Sequence, residues 1–339
     1  MGSVEAVTNH VVDDNVKAHL PSGSEIISVR PAGASAWVET VRIDVRLADG
    51  SQKSYFKKSE RGELGRNLML GCFESEKDVY AYLPDNVPKP VAFGSYKSDP
   101  DVYFFMAEYH DMTDDLPDVQ DLSALIAKLH RDSMGKSPNG KYGYHVPTHL
   151  GNIANDNTWT DTWEEFFTVA MKRMLMLEEK SHGQDPELTE LSKALIEKVI
   201  PRMMRPLETG GRSIQPCLVH SDIWLGNVKP DAETEVPIIF DSCAFWGHNE
   251  ADLSCMRAPR YRMGRPYIRE YHALMPKSEP EEDWDDRNAL YAMRMDLLHS
   301  TMFPNELCFR ETAMAEMRRL VDKYPDGFVE ENSTSYTRI

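Results

Sequence analysis

Hydrophobic periodicity changes once along this chain, and that change sets what the chain can fold into. Up to about residue 109 the apolar residues alternate, as in strands that bury one face of a sheet. In residues 36–48 (AWVETVRIDVRLA), Val38, Val41, Ile43, Val45 and Leu47 fall on or near one face. Asp49-Gly50 is a tight hairpin signal, and residues 53–58 (KSYFKK) form the returning strand. With 24–30 ahead of them, three antiparallel strands open the chain. A helix is expected over 63–83, ending near Pro84, followed by strands at 90–96 and 102–109. From residue 119 the helical period dominates. Helices are expected over 119–134, 161–182, 186–208, 250–258, 265–275, 284–302 and 311–323, with one strand–loop–strand block at 216–241.

The expected architecture is α+β and two-lobed, of protein-kinase type. Residues 1–109 would form a small antiparallel β lobe that binds nucleotide. The acidic, turn-rich segment 110–118 (HDMTDDLPD) would be the linker, and 119–339 a large helical lobe. Strands and helices do not alternate throughout, as a βαβ dinucleotide fold would require. At 339 residues the chain is too long for one ordinary core and suits two.

A formal net charge of −17 disfavours nucleic acid and anionic membranes as partners. It favours a cationic substrate, and an anionic nucleotide would need locally placed cations. The five cysteines are scattered with no CxxC spacing, which argues against a disulfide framework and a structural zinc site. The N-terminal stretch has no apolar core or basic run, and Ala6 stands where a myristoylation signal needs Ser or Thr. A cytoplasmic setting is the expectation. Oligomeric state cannot be read from these features.

Chemistry concentrates in 217–228 (CLVHSDIWLGNV) and 236–241 (VPIIFD). The pattern is His-x-Asp-x-x-x-x-Asn, then an apolar strand ending in Asp. A lone His-x-Asp would serve equally as a turn cap. The whole pattern, placed after a β-rich lobe, is the phosphoryl-transfer arrangement. Asp222 would take or orient the proton of the attacking hydroxyl. Asn227 and Asp241 would hold magnesium against the triphosphate of ATP. A dispersed, anionic transition state needs positioning and cation clamping more than covalent chemistry, so a few oxygen ligands suffice.

Lys57, in the third strand, is expected to reach the α- and β-phosphates, with Lys58 on the opposite face. Its expected helix partner is Glu76, with Glu74 the alternative. The small-residue turn Pro31–Ser35 (PAGAS) lacks GxGxxG and could be a phosphate loop or any hairpin. Glu108 and Tyr109, ending the fifth strand, stand where hinge backbone would meet adenine.

Residues 217–254 resemble the fructosamine/ketosamine 3-kinase family, which is related to aminoglycoside and choline phosphotransferases. The resemblance is carried by His220-Ser221-Asp222-Ile223-Trp224-Leu225-Gly226-Asn227, by Ile239-Phe240-Asp241, and by Phe245-Trp246-Gly247-His248-Asn249-Glu250-Ala251-Asp252-Leu253. Tyr142-Gly143-Tyr144, Leu150-Gly151-Asn152, Asn157–Phe167 and Tyr271-His272 before Met275-Pro276 extend it, so that it covers most of 53–300. It implies phosphorylation of the sugar 3-hydroxyl of a ketosamine, the adduct of a sugar with a small amine or a protein lysine. Such a phosphate labilises the adduct and frees the amine. The resemblance further implies Asp222 as base, Asn227 and Asp241 on metal, Lys57 and Glu76 on ATP, and Trp224, His248 and Glu250 lining the sugar. Polyhydroxy acceptors suit an aromatic face and several hydrogen-bond partners.

Four departures stand out. Ser221 replaces a usual glycine, Ser242-Cys243-Ala244 a Pro-Ala-Ser-like run, Asp252 a usual glutamate, and 257–269 (RAPRYRMGRPYIR) carries five arginines where the family is small and glycine-rich. The arginines read either as a solvated face or as a site for an anionic group on the substrate. The competing functions are a small-molecule kinase of aminoglycoside or choline type and a non-catalytic pseudokinase scaffold.

Overall fold

The computed structural model describes residues 12–33 and 37–330. The N-terminal stretch behind the targeting expectation, and Ala34 and Ser35 of the small-residue turn, lie outside them.

Alternation builds the sheet. β1 (Glu25–Pro31), β2 (Glu39–Arg46) and β3 (Gln52–Arg61) pair antiparallel after the short helix α1 (Asp14–Lys17). The β2–β3 turn closes on Gly50 at φ +88°, which a residue with Cβ rarely adopts, while Asp49 accepts the Ser51 N–H at 2.9 Å. β4 (Pro90–Ser95) and β5 (Val102–Glu108) complete an antiparallel sheet of order β1-β2-β3-β5-β4.

The two faces of that sheet have different cores. Val41, Ile43, Val45, Tyr55, Phe104 and Met106 pack with Val12 and Val16 on one. On the other, Phe105 and Ala107 pack with Leu68 and Met69 of α2 (Gly62–Tyr82), joined by Phe56 and Cys72. Each large apolar chain buried this way contributes roughly 1.5–3 kcal/mol. The register Ile43↔Tyr55 and Val41↔Lys57 puts Lys57 on the Val41 face, and its neighbour Lys58 faces α2.

α3 (Val119–Ser133) starts at Asp118, whose carboxylate accepts the N–H groups of Gln120 and Asp121 at 2.8 and 3.1 Å. Leu122, Leu125, Ile126 and Leu129 form its buried stripe. Two short strands follow, β6 (His149–Leu150) and β7 (Ile153–Ala154). After α4 (Trp163–His182), α5 (Pro186–Ala194) and α6 (Ile200–Met204) come four short strands: β8 (Cys217–Val219), β9 (Val228–Pro230), β10 (Pro237–Ile239) and β11 (Phe245–Gly247). β8 pairs with β11 and β9 with β10. The chain ends in α7 (Arg265–Leu274), α8 (Trp284–Met302) and α9 (Leu307–Lys323).

Two helix expectations are corrected. Residues 186–208 are helical throughout but not α-helical throughout: a π turn at Leu195–Val199 lies between α5 and α6, and a 3₁₀ turn follows at Arg205–Glu208. Pro201 and Pro206 lack the N–H that a continuous ladder needs. Residues 250–258 form two separate 3₁₀ turns, Asn249–Leu253 and Cys255–Arg257.

Spatial grouping divides the chain into two compact units, Met1–Trp159 with Pro216–Met275, and Thr160–Gln215 with Pro276–Ile339. This grouping is a different partition from the two lobes read off the sequence. The first unit holds the sheet, α2, α3, α7 and β8–β11. The second is helical and is organised around Trp163, whose indole N–H donates to the Tyr291 hydroxyl at 2.8 Å.

Candidate active site

The loop from His220 to Asn227 leaves β8 and enters β9. It is held from beneath by one carboxylate. Asp252 accepts the N–H of His220 at 2.8 Å and the N–H of Ser221 at 2.5 Å. The same carboxylate meets His130 Nε2 at 2.9 Å, and His130 Nδ1 meets the Tyr271 hydroxyl at 2.8 Å. Asn249 donates to that hydroxyl at 2.8 Å, which closes a buried network from α3 to α7. Two backbone N–H groups in a dry interior need acceptors, and a charged one holds them firmly. Nothing in the sequence reading gave Asp252 this role. In the sequence it stands only as a departure from the family, because its partners His130 and His220 lie 122 and 32 positions away.

Ser221 adopts φ +70°, in the left-handed region. That conformation costs a residue with Cβ about 1–2 kcal/mol and explains why glycine is the easier residue there. His220 is fully buried and its pKa is lowered, chiefly by that burial. Its Nε2 donates to the Phe240 carbonyl at 3.1 Å and its Nδ1 accepts the Asp222 N–H at 3.3 Å, the pattern of a neutral ring.

Asp222 points away from this anchor. Its Oδ2 accepts from Asn227 Nδ2 at 2.7 Å, and the same amide nitrogen reaches its main-chain carbonyl at 3.1 Å. Burial, and then the nearby charge of Asp241, push the Asp222 carboxyl up to about 7. A carboxyl poised there can hold or release a proton near neutral pH. Asp241 follows β10 at φ +57° and keeps 51% of its side chain exposed. The Phe240 N–H donates to the Asn227 carbonyl at 3.0 Å, so the two arms of the β9–β10 hairpin bring Asp241 back to the loop.

The lysine in this group is Lys58. Its ammonium pairs with the Asp241 carboxylate and lies 5.5 Å from the centre of the Phe105 ring. Burial opposes its charge, but Asp241 outweighs burial and raises its pKa. Lys58 in turn holds the Asp241 carboxyl down against burial. Lys57, the expected nucleotide lysine, is on the opposite face. It bonds to the Ser59 hydroxyl at 3.0 Å and to Tyr96, and Glu39 lies 3.9 Å away. The expected register was off by one because alternation names two faces without saying which of them α2 covers.

α2 supplies the remaining carboxylate. Glu76 Oε1 accepts the Ser242 N–H at 2.9 Å, and its Oε2 is buried without a hydrogen-bond partner. Burial pushes Glu76 up to about 7, with Asp241 raising it further and Lys58 acting against both. One turn earlier, Cys72 hydrogen-bonds to Lys58. Glu74, the alternative partner, lies elsewhere, with Lys77 and with His145 at 3.1 Å.

Trp224 is 37% exposed. Its indole N–H bonds to the Asp222 carboxylate, and its ring lies 5.7 Å from that of Tyr261, tilted 55°. The ring lies over Gly226, where a Cβ would stand 2.2 Å from it. No side chain fits between them.

Two further expectations are corrected. His248 and Glu250 do not border open space: they are 1% and 0% exposed. Their 3₁₀ turn directs them into the interior, although their sequence distance from Asp241 suggested a return to the site. Glu108 pairs with Lys53 at 2.6 Å. The N–H of Glu108 goes to the Lys89 carbonyl at 2.9 Å and that of Tyr109 to the Ser54 carbonyl at 3.0 Å. Neither N–H is left to donate to an adenine.

The donor set suits magnesium. Asn227 spends its amide N–H groups on Asp222, which leaves its amide oxygen for a cation beside the half-open Asp241 carboxylate. Both are hard oxygen ligands, and Mg²⁺ characteristically takes one or two such groups and completes its shell with phosphates and water. Among the described residues no three His, Cys, Asp or Glu side chains cluster as a metal cage, and no helix is long and apolar enough to cross a membrane.

The family model described as fructosamine kinase matches residues 18–323. A chloroplastic protein-ribulosamine 3-kinase of Oryza sativa subsp. indica is 29% identical over 272 residues, 80% of this chain and 72% of that protein. A ketosamine-3-kinase of Mus musculus is 33% identical over 182 residues, 53% of this chain and 54% of that protein. A solved structure assigned as a fructosamine-3-kinase, from Thermobifida fusca YX-ER1, superposes at TM-score 0.68 and 20% identity, covering 88% of this chain and 95% of that one.

Proposed function

Because this chain belongs to the fructosamine kinase family, we propose that it transfers the γ-phosphoryl group of ATP to the 3-hydroxyl of a ketosamine. The observation that carries the reading is the convergence of Asp222, Asn227, Asp241 and Lys58 from three separate segments of the chain. Asp222 accepts the proton of the attacking hydroxyl. Its Asn227 and Trp224 hydrogen bonds fix the direction in which the carboxylate faces. Lys58 moves from Asp241 to the α- and β-phosphates when nucleotide enters, and Glu76 beside it limits where the ammonium can go. Asn227 and Asp241 would hold Mg²⁺. When bound there, it would neutralise charge at the triphosphate. Trp224 offers an aromatic face to the sugar.

The test is ATP consumption with fructosyl-lysine, ribulosyl-lysine, free amino sugars, an aminoglycoside and choline as acceptors. Ketosamines are expected to turn over fastest, and Asp222→Asn to abolish that turnover with ATP binding intact. Faster turnover of choline or the aminoglycoside would overturn the ketosamine reading. Full activity of Asp222→Asn would overturn the assignment of the base.

A further inference from the structure

The strip at 257–269 has no counterpart in the chemistry above. It holds Arg257, Arg260, Arg262, Arg265 and Arg269 and no acid, in a chain whose net charge is −17. Arg260, Arg262, Arg265 and Arg269 are all exposed. Among the described residues Arg262, Arg265 and Arg269 have no acidic partner, although the chain carries 55 acidic residues. These exposed guanidinium groups, close in sequence, give the strip a local surplus of positive charge that suits an anionic group.

The position of the strip says what that would be. From Asp222 a continuous wall of side chains leads outward. The Trp224 indole touches Asp222, and the Tyr261 ring is 5.7 Å from the Trp224 ring. The Arg260 guanidinium lies 4.7 Å from the centre of the Tyr261 ring and hydrogen-bonds to its hydroxyl. On the ketosamine reading the two aromatic rings are the acceptor side of the site, and Arg260 stands beyond them, against Tyr261. A guanidinium held against an aromatic face keeps a planar fork of donors in one orientation, the geometry that carboxylate and phosphate accept in pairs.

We infer that Arg260, assisted by Arg262, recognises an anionic group, a carboxylate or a phosphate, carried by the ketosamine itself. The inference rests on the ketosamine reading and narrows it to acceptors with a negative charge about one sugar length from the reacting hydroxyl. The charge can sit on either end: as a carboxylate on the amine, or as a phosphate on the terminal sugar carbon.

The experiment compares three acceptors on the intact enzyme with ATP and Mg²⁺: the ribulosamine of propylamine, the ribulosamine of β-alanine, and the propylamine ribulosamine 5-phosphate. One charged acceptor is expected to exceed the neutral one about tenfold in kcat/KM, the scale of one charge-assisted bond. That advantage should shrink as ionic strength rises. Arg260→Gln should lower the favoured charged acceptor at least about tenfold more than the neutral one, and Arg260→Lys should restore part of it. Arg262→Gln should act in the same direction more weakly, which keeps the test decisive if the Arg260 variants fold poorly. The charged acceptor that leads identifies the source of the anion. If the neutral ketosamine turns over as well as both charged ones, the inference fails and the ketosamine reading stands. If no ketosamine turns over, both fail.

Discussion

Replacing Lys58 with Met, beside the control Lys57→Met, tests the geometry of the nucleotide site most directly. The two lysines are adjacent and both buried, at 6% exposure each, so composition and burial cannot distinguish them. Only Lys58 faces Asp241, whereas Lys57 has Glu39 at 3.9 Å on the other face. Two unit charges about 4 Å apart interact by roughly 4 kcal/mol at an effective dielectric near 20. A phosphate that replaces Asp241 against the ammonium gains most of this, less what the ion pair gives up. A transition-state share of about 3–4 kcal/mol corresponds to a loss of roughly 10²–10³ in turnover, as when a single preorganised donor is removed. Lys57→Met removes bonds to Ser59 and Tyr96 on the far face. It should cost about 1 kcal/mol of stability and leave turnover within a few-fold. The assay is ATP consumption at saturating acceptor, with chemical denaturation of both variants and calorimetric titration of nucleotide. Lys58→Met is expected to lose turnover and nucleotide affinity together. A tolerated Lys58→Met with an inactive Lys57→Met would refute the orientation of β3 and the whole reading of this site.

Asp222 and Glu76 are both pushed up to about 7. A carboxyl whose folded pKa lies above its unfolded one binds more protons in the folded state, so metal-free stability should fall as pH rises from about 4 to 7. Asp222→Asn in chelator-containing buffer at pH 8 should therefore melt higher than the parent while losing at least about a hundredfold in turnover; an unchanged or lower melting temperature at pH 8 would contradict the burial cause. Ser221→Gly relieves the φ +70° conformation and should raise stability by about 0.5–1 kcal/mol, read as a shift in denaturation midpoint without a change in slope. Asp252→Ala strands the N–H groups of His220 and Ser221 and should destabilise by about 2–5 kcal/mol, with turnover lost more than nucleotide affinity. Gly226→Ala displaces the Trp224 ring and should raise the acceptor KM while leaving the ATP KM near its parent value; equal effects on both would place Trp224 outside the acceptor face.

What could be read from the sequence was local. Val41, Ile43 and Val45 announce a strand, Asp49-Gly50 a reversal, and the eight residues from His220 to Asn227 carry their own motif because the loop is short enough to be fixed by neighbours in sequence. What could not be read was long-range. Lys57 and Lys58 differ only in which face α2 covers, and that is decided by Phe56, Phe105 and Leu68 meeting across 50 residues. His248 and Glu250 lie close to Asp241 along the chain, yet a 3₁₀ turn buries both. Asp252 stands out in the sequence only as an aspartate in a glutamate's place, and its role depends on His130 and the loop amides brought to it by the fold. The breaks in 186–208 were in plain view at Pro201 and Pro206, but helical periodicity on either side concealed them.

The way the catalytic loop is fastened has a consequence for how such an enzyme can diversify. Asp252 grips the loop through two main-chain amides, and His130, itself bonded to Tyr271, holds Asp252 in place. Their hold does not depend on which side chains the loop's outer surface displays. Tyr261 and the arginine strip can therefore be exchanged for other chemistry while Asp222 keeps its bonds to Asn227 and Trp224. A lineage built this way could change the molecules it accepts by drift on one surface, with its transfer machinery left untouched beneath.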